Sequence, residues 1–125
     1  MNKKWALPPE DLDQVRFRHL KAVSGGVVTI AYKKGFQEEA YAKFTYGIAL
    51  CSPSDSFNRA KGRFIAVRRM KKLSDKLNID NGASIVHCIL EDMFSLHSGY
   101  MVPRWLSKEY PVDKIFGWGE HDNSK

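Results

Sequence analysis

Residues 40–72, AYAKFTYGIALCSPSDSFNRAKGRFIAVRRMKK, change their hydrophobic period half-way, and that change decides the fold class. In the first half Phe44, Tyr46, Ile48 and Leu50 fall on one side and Lys43 and Thr45 on the other, the two-residue period of a half-buried strand over Ala40 to Cys51. In the second half the spacing turns helical. At 100° per residue, Phe57, Ala60, Phe64 and Val67 form an apolar arc that continues through Met70, Leu73 and Leu77. Lys61, Arg68 and Lys72 cluster opposite, flanked by Asn58 and Arg69. Between the halves, Ser52-Pro53-Ser54-Asp55 reads as a helix start: an N-cap serine, a proline at the first helical position and a carboxylate three residues after the cap. The helix is expected to run to about Lys76, with Lys71, Lys72 and Lys76 near the negative end of its dipole.

Toward the N-terminus, Val27-Val28-Thr29-Ile30-Ala31-Tyr32 is rich in β-branched residues and follows a Ser24-Gly25-Gly26 turn. Val15-Arg16-Phe17-Arg18 alternates apolar and basic, so residues 15–22 read as a first strand, with a helical extension from Pro8 and Pro9 as the alternative. Lys34 to Glu39 reads as a hairpin loop. Toward the C-terminus, an Asp80-Asn81-Gly82 turn precedes a second helix through about His97, its buried stripe Ile85, Ile89, Met93 and Leu96 widened by Val86, Leu90 and Phe94. The expectation is an α+β fold: a three-stranded antiparallel sheet packed against two helices, with residues 1–14 as an arm and 15–125 as a single domain. Tyr100, Trp105, Tyr110, Phe116 and Trp118 mark an irregular aromatic C-terminal tail.

At 125 residues and 43% hydrophobic the chain suits one core, which needs neither metal nor disulfide to form. Cys51 and Cys88 read as reduced thiols on apolar stretches. No segment approaches the roughly 18–20 apolar residues of a membrane span, and the N-terminus lacks the apolar region of a signal peptide, so a cytoplasmic location is expected.

The net charge of +6 is unevenly spread. Residues 52–78 hold eight Lys/Arg against two Asp/Glu, whereas residues 79–125 hold four against seven. Such asymmetry suits a polyanion or an acidic protein surface. The candidate binding residues are Asn58, Arg59, Lys61, Arg63, Arg68, Arg69 and Lys72, with Arg59 and Arg63 at the edge of the apolar arc. Arg16, Arg18, Lys33 and Lys43 form a secondary basic row, read as one surface with the helix. A solvated helix face is the alternative for the whole stripe. Gly62, mid-helix at a cost of about 1 kcal/mol relative to Ala, falls on the polar side of the wheel; a close approach by a partner or by another element of the fold would account for it.

Catalytic chemistry finds no foothold. Glu38 and Glu39 are adjacent in a loop, Asp55 is read as a cap, and no acid stands in the Glu-x-Lys arrangement of a metal-dependent nuclease. His19, His87, His97 and His121 lack zinc-site spacing, His87 and Glu91 make an i, i+4 surface pair, and no Gly-rich loop cradles a phosphate. No catalytic residue, metal ligand or cofactor is assigned.

The run Gly47 to Ala66 resembles a pattern in small phage and prophage proteins of unassigned function. It consists of an Ala-x-Cys-x-Pro-x-Asp-x-Phe strand end (Ala49, Cys51, Pro53, Asp55, Phe57) followed by a Lys-Gly-Arg-x-Ile-Ala helix (Lys61, Gly62, Arg63, Ile65, Ala66). The resemblance implies an accessory phage protein in the host cytoplasm, of the kind that binds and blocks host machinery such as CRISPR effectors. The order of three strands and a basic helix over residues 27–73 also resembles the layout of the double-stranded RNA-binding domain, without its Ser-Lys-Lys helix start. Together these readings lead to a non-enzymatic binding protein whose cationic helix engages nucleic acid, or the nucleic-acid-binding site of a host complex in the manner of an anti-CRISPR inhibitor. Direct non-specific binding of DNA or RNA is the alternative and a metal-dependent nuclease the second.

Overall fold

The computed structural model describes residues 3–72, 76–95 and 101–107. Four strands, β1 (Val15–Lys21), β2 (Val27–Gln37), β3 (Tyr41–Cys51) and β4 (Leu77–Asp80), form one antiparallel sheet in the order β1-β2-β3-β4. Residues 15–21 are strand, as their alternation suggests, and pair with β2 from Val15↔Lys33 to Lys21↔Val27. The expected loop at Lys34–Glu39 is mostly strand instead, since β2 continues to Gln37 through an irregularity between Lys34 and Gln37.

The expected three strands are four. Leu77-Asn78-Ile79-Asp80 has its own two-residue period, but Leu77 is four residues beyond Leu73 and so also fits the helical arc. In the fold Leu77 and Ile79 pair with Phe44 and Ala42 across β3, and Ile79 is buried. The antiparallel register places both on the large-residue face of the sheet.

That face carries Leu20, Val28, Ile30, Phe44, Tyr46 and Ile48. It is covered by α3 (Ile85–Met93), through Val86, Ile89, Leu90 and Met93, and by Leu106 of the short α4 (Arg104–Ser107). The helix expected to reach His97 ends at Met93, with Phe94 as its C-cap; Leu96 and His97 lie outside the described residues. Ser84 caps its start, accepting from the His87 backbone N–H at 3.2 Å. Tyr46 donates to the Asp92 carboxylate at 2.5 Å and ties β3 to α3. Residues 104–107 are helical rather than irregular tail, and Trp105 lies against Gly26. Tyr100, Tyr110, Phe116 and Trp118 lie outside the described residues.

The opposite face is lined by small residues: Thr29 and Ala31 on β2, Gly47 and Ala49 on β3. Against it lies α2 (Arg59–Lys72), the helix that follows the short α1 (Pro9–Leu12) of the N-terminal arm. A Cβ at Gly47 would collide with the Ala66 carbonyl and the Met70 backbone, so helix and strand backbones are in direct contact. A Cβ at Gly62 would stand 2.8 Å from Thr29 Oγ1. Gly62 is thus buried, not on the polar side, and the close approach that accounts for it comes from β2.

Candidate functional site

The start of α2 differs from the expected one. Ser52 to Asp55 forms a turn, with the Asp55 N–H donating to the Ser52 carbonyl at 3.0 Å. The cap is Asn58, whose Oδ1 accepts from the Lys61 backbone N–H at 3.0 Å. Proline at a first helical position and proline inside a turn look alike in sequence, which is why the earlier start was read. Phe57 therefore precedes the helix, and the Oδ1 of the exposed Asn58 is engaged as its cap.

The buried stripe of α2 is Gly62, Ala66, Val67 and Met70, rotated from the arc drawn through Phe57, Ala60 and Phe64. Gly62 and Ala66 stand where the strands come closest, and Val67 and Met70 complete the buried stripe. Ala60 is exposed and Phe64 is half-buried at the side. The rotation moves the cations too. Seven of the fourteen residues of α2 are Lys or Arg and none is acidic.

Three of those seven have work within the fold. Arg63 lies half-buried with its guanidinium 5.1 Å from the Phe17 ring, and Arg69 donates to the Ile48 carbonyl at 2.9 Å. Lys71 pairs with Asp11 of the N-terminal arm at 2.7 Å. Arg59, Lys61, Arg68 and Lys72 are exposed and, among the described residues, meet no carboxylate.

Aromatic rings are interleaved with these free cations. The arm folds back so that Trp5 meets Phe64 edge-on at 5.4 Å. Lys4 and Lys61 lie over the Trp5 ring at 5.1 and 5.5 Å, and Arg68 over Phe64 at 5.5 Å. Below this ladder a groove of about 850 Å³ runs between arm and helix, with Leu7, Pro8, Phe64 and Ile65 along its apolar lining and Arg68, Arg69 and Lys72 at its rim. The sequence reading missed Lys4, Trp5 and Phe64 as site residues. The Lys-Lys-Trp run was visible, but nothing in it tells that the arm returns to α2.

The secondary basic row does not form one surface. Arg16 and Arg18 stand opposite Tyr32 and Ile30 across β1–β2, on the α3 side of the sheet. Lys33 is paired with Val15 and Thr45, on the α2 side, and alternation places Lys43 there too.

Comparison with known protein families, with characterised proteins and with solved structures returns no match. The geometry alone therefore ranks the possibilities. Among the described residues no group of three or more His, Cys, Asp or Glu side chains could hold a metal ion, and no helix is long and apolar enough to cross a membrane. Cys51 and Cys88 are free thiols, both half-buried. Burial, then the Asp80 and Glu91 carboxylates, push the Cys88 thiol up, away from nucleophilic character. His87 and Glu91 face each other at 3.6 Å on the surface of α3.

His19 lies at the base of α2, bonded through Nδ1 to Thr29 Oγ1 at 2.9 Å and edge-on to Phe57 at 5.4 Å. Burial first, then the positive charges of Arg59 and Arg63, hold its pKa down to about 4, so the ring is neutral at pH 7. Its Nε2 and the Arg63 Nε are buried with no partner among the described residues. A neutral imidazole under two arginines keeps charge out of the small-residue interface, a packing role.

Proposed function

We propose that this chain is a binding protein that takes nucleic acid on the exposed face of α2, with no catalytic step of its own. One observation carries the reading: Lys61, Arg68 and Lys72 stand clear of carboxylates on one rigid helix, with Trp5 and Phe64 between them. Several cations on a fixed face meet the requirement for phosphate contact, since each neutralised phosphate releases counterions. Aromatic rings among them add a surface on which a base stacks. The phage-type pattern over residues 47–66 agrees with such a role without specifying it.

The test is a salt-resolved binding titration of labelled oligonucleotides against the wild-type chain and the Lys61→Ala/Arg68→Ala/Lys72→Ala variant. Three or four phosphate contacts give a log–log salt slope of about −2 to −4, and the triple variant should lose most of both affinity and slope. Arg69 is left intact because its bond to the Ile48 carbonyl belongs to the fold. Wild-type affinity in the triple variant would reject this face. A host protein retained from nuclease-treated lysate, with no affinity for free oligonucleotide, would replace the reading: α2 would then occupy the nucleic-acid site of a host complex, as an anti-CRISPR-type inhibitor does.

A further inference from the structure

Resting on that reading, we infer that the nucleic acid taken by this face is single-stranded, seated in the groove between residues 6–11 and α2 with its bases toward the apolar lining and its phosphates along the helix.

The shape of the face argues against a duplex. An α-helix with its side chains is about 10–12 Å across, and the major groove of B-DNA is about 12 Å wide. A bare helix fills that groove. Here α2 is not bare: the arm is fastened alongside it by Trp5 on Phe64 at one point and by Asp11 on Lys71, at 2.7 Å, at another. Helix and arm together are too broad to enter, so a duplex would be met only at its outer phosphates.

The chemistry of the groove argues for unpaired bases. Its lining includes Leu7, Pro8, Phe64 and Ile65, apolar surface that phosphates do not cover. In a duplex the base faces are stacked away; in a single strand they are free to lie on an aromatic ring, a contact worth about five- to a hundredfold in affinity per base. Charge sets the orientation. Arg68 and Lys72 stand on the helix side, whereas Asp11, already held by Lys71, is on the arm side. Phosphates therefore follow α2 and bases turn toward the arm. From Phe64 to Lys72, the stretch of α2 that lines the groove, the helix rises about 12 Å, the length of three or four nucleotides at ~3.4 Å each in a stacked strand.

The experiment is fluorescence anisotropy of the full chain with four labelled 12-mers at one low salt concentration: a mixed-sequence DNA strand, its RNA counterpart, the DNA annealed to its complement, and a strand of the same length made of abasic sites. The DNA or RNA single strand should bind at least tenfold more tightly than both the duplex and the abasic strand, and whichever sugar is preferred identifies the source while supporting the inference. Phe64→Leu, checked for fold by circular dichroism, should weaken single-strand binding by about tenfold, since Phe64 is the aromatic ring in the groove lining. A duplex bound as tightly as the single strand, or an abasic strand bound as tightly as the normal one, overturns the inference while the cationic face stands. Failure of all four to bind overturns both. The abasic comparison uses the unmodified chain and so holds even if a variant fails to fold.

Discussion

On one face of the sheet Leu20, Ile30, Phe44, Tyr46 and Ile48 meet α3 and α4 through large side chains; on the other Thr29, Ala31, Gly47 and Ala49 meet α2 through hardly any. The first interface is held by apolar volume removed from water. The second buries smaller apolar groups at closer range, with Gly62, Ala66, Val67 and Met70 of the helix buried and Val15, Phe17 and Ile65 packed against them. The difference bears on function. A helix seated on glycine and alanine has little inward room for long side chains, and its seven cations lie on the flanks and the outer surface. The tight face of the fold and the cationic face of the protein are two sides of one helix.

The largest effect is expected from emptying the large-residue face. Ile30 and Leu90 are fully buried on facing elements, and Ile30→Ala or Leu90→Ala should each cost about 2–5 kcal/mol by urea denaturation. Next comes filling the tight face. Gly47→Ala puts a methyl into the α2 backbone and should cost about 3 kcal/mol, as much as removing a large side chain opposite. If Gly47→Ala is tolerated with no loss, the two faces do not differ as described. Gly62→Ala sharpens the same point. Helix propensity favours it by up to about 1 kcal/mol, yet its Cβ meets Thr29 Oγ1, so a net loss of about 1 kcal/mol is expected, reduced in a Thr29→Ala background.

A pH titration probes the same interface through His19. Its pKa is about 4 in the folded chain and 6.5 when unperturbed, so the unfolded state binds the proton first as pH falls. Stability from this group is therefore full above pH 6.5 and declines between pH 6.5 and 4. The loss should be about 1–2 kcal/mol, less than the whole shift because the ring keeps some contact with water. His19→Gln should flatten the Tm profile over that window. The smallest effects belong to the outer surface. Removing Lys61, Arg68 and Lys72 together should cost about 1 kcal/mol, through the two cation–π contacts rather than through charge. Arg69→Ala should cost about 1 kcal/mol through the lost bond to Ile48.

The legible parts of this fold are those written in short-range periodicity. The alternation of Phe44, Tyr46, Ile48 and Leu50 identified the buried face of β3, and the Ile89–Met93 spacing identified the core side of α3. The site was half legible. Lys61, Arg68 and Lys72 were singled out by their angles on the wheel and are exposed. Arg63 was placed at an edge and lies against Phe17. Asn58 and Ser52 were misread because a cap and a turn use the same residue types, and Leu77 because one apolar residue satisfies two periods. Trp5 was not legible, since its partner Phe64 is fifty-nine residues away.

By itself, then, the sequence determined three of the four strands, the two principal helices and the concentration of positive charge on the first of them, because backbone periodicity and net charge are properties of adjacent residues. Only the tertiary structure decided that α2 covers the glycine and alanine side of the sheet, that Arg16 and Arg18 are parted from Lys33 and Lys43, and that the arm brings an aromatic ring to the cations. Alternation tells which residues share a face but not which element will cover it. That choice falls to whichever surfaces fit closest, and here the closest fit was between two backbones.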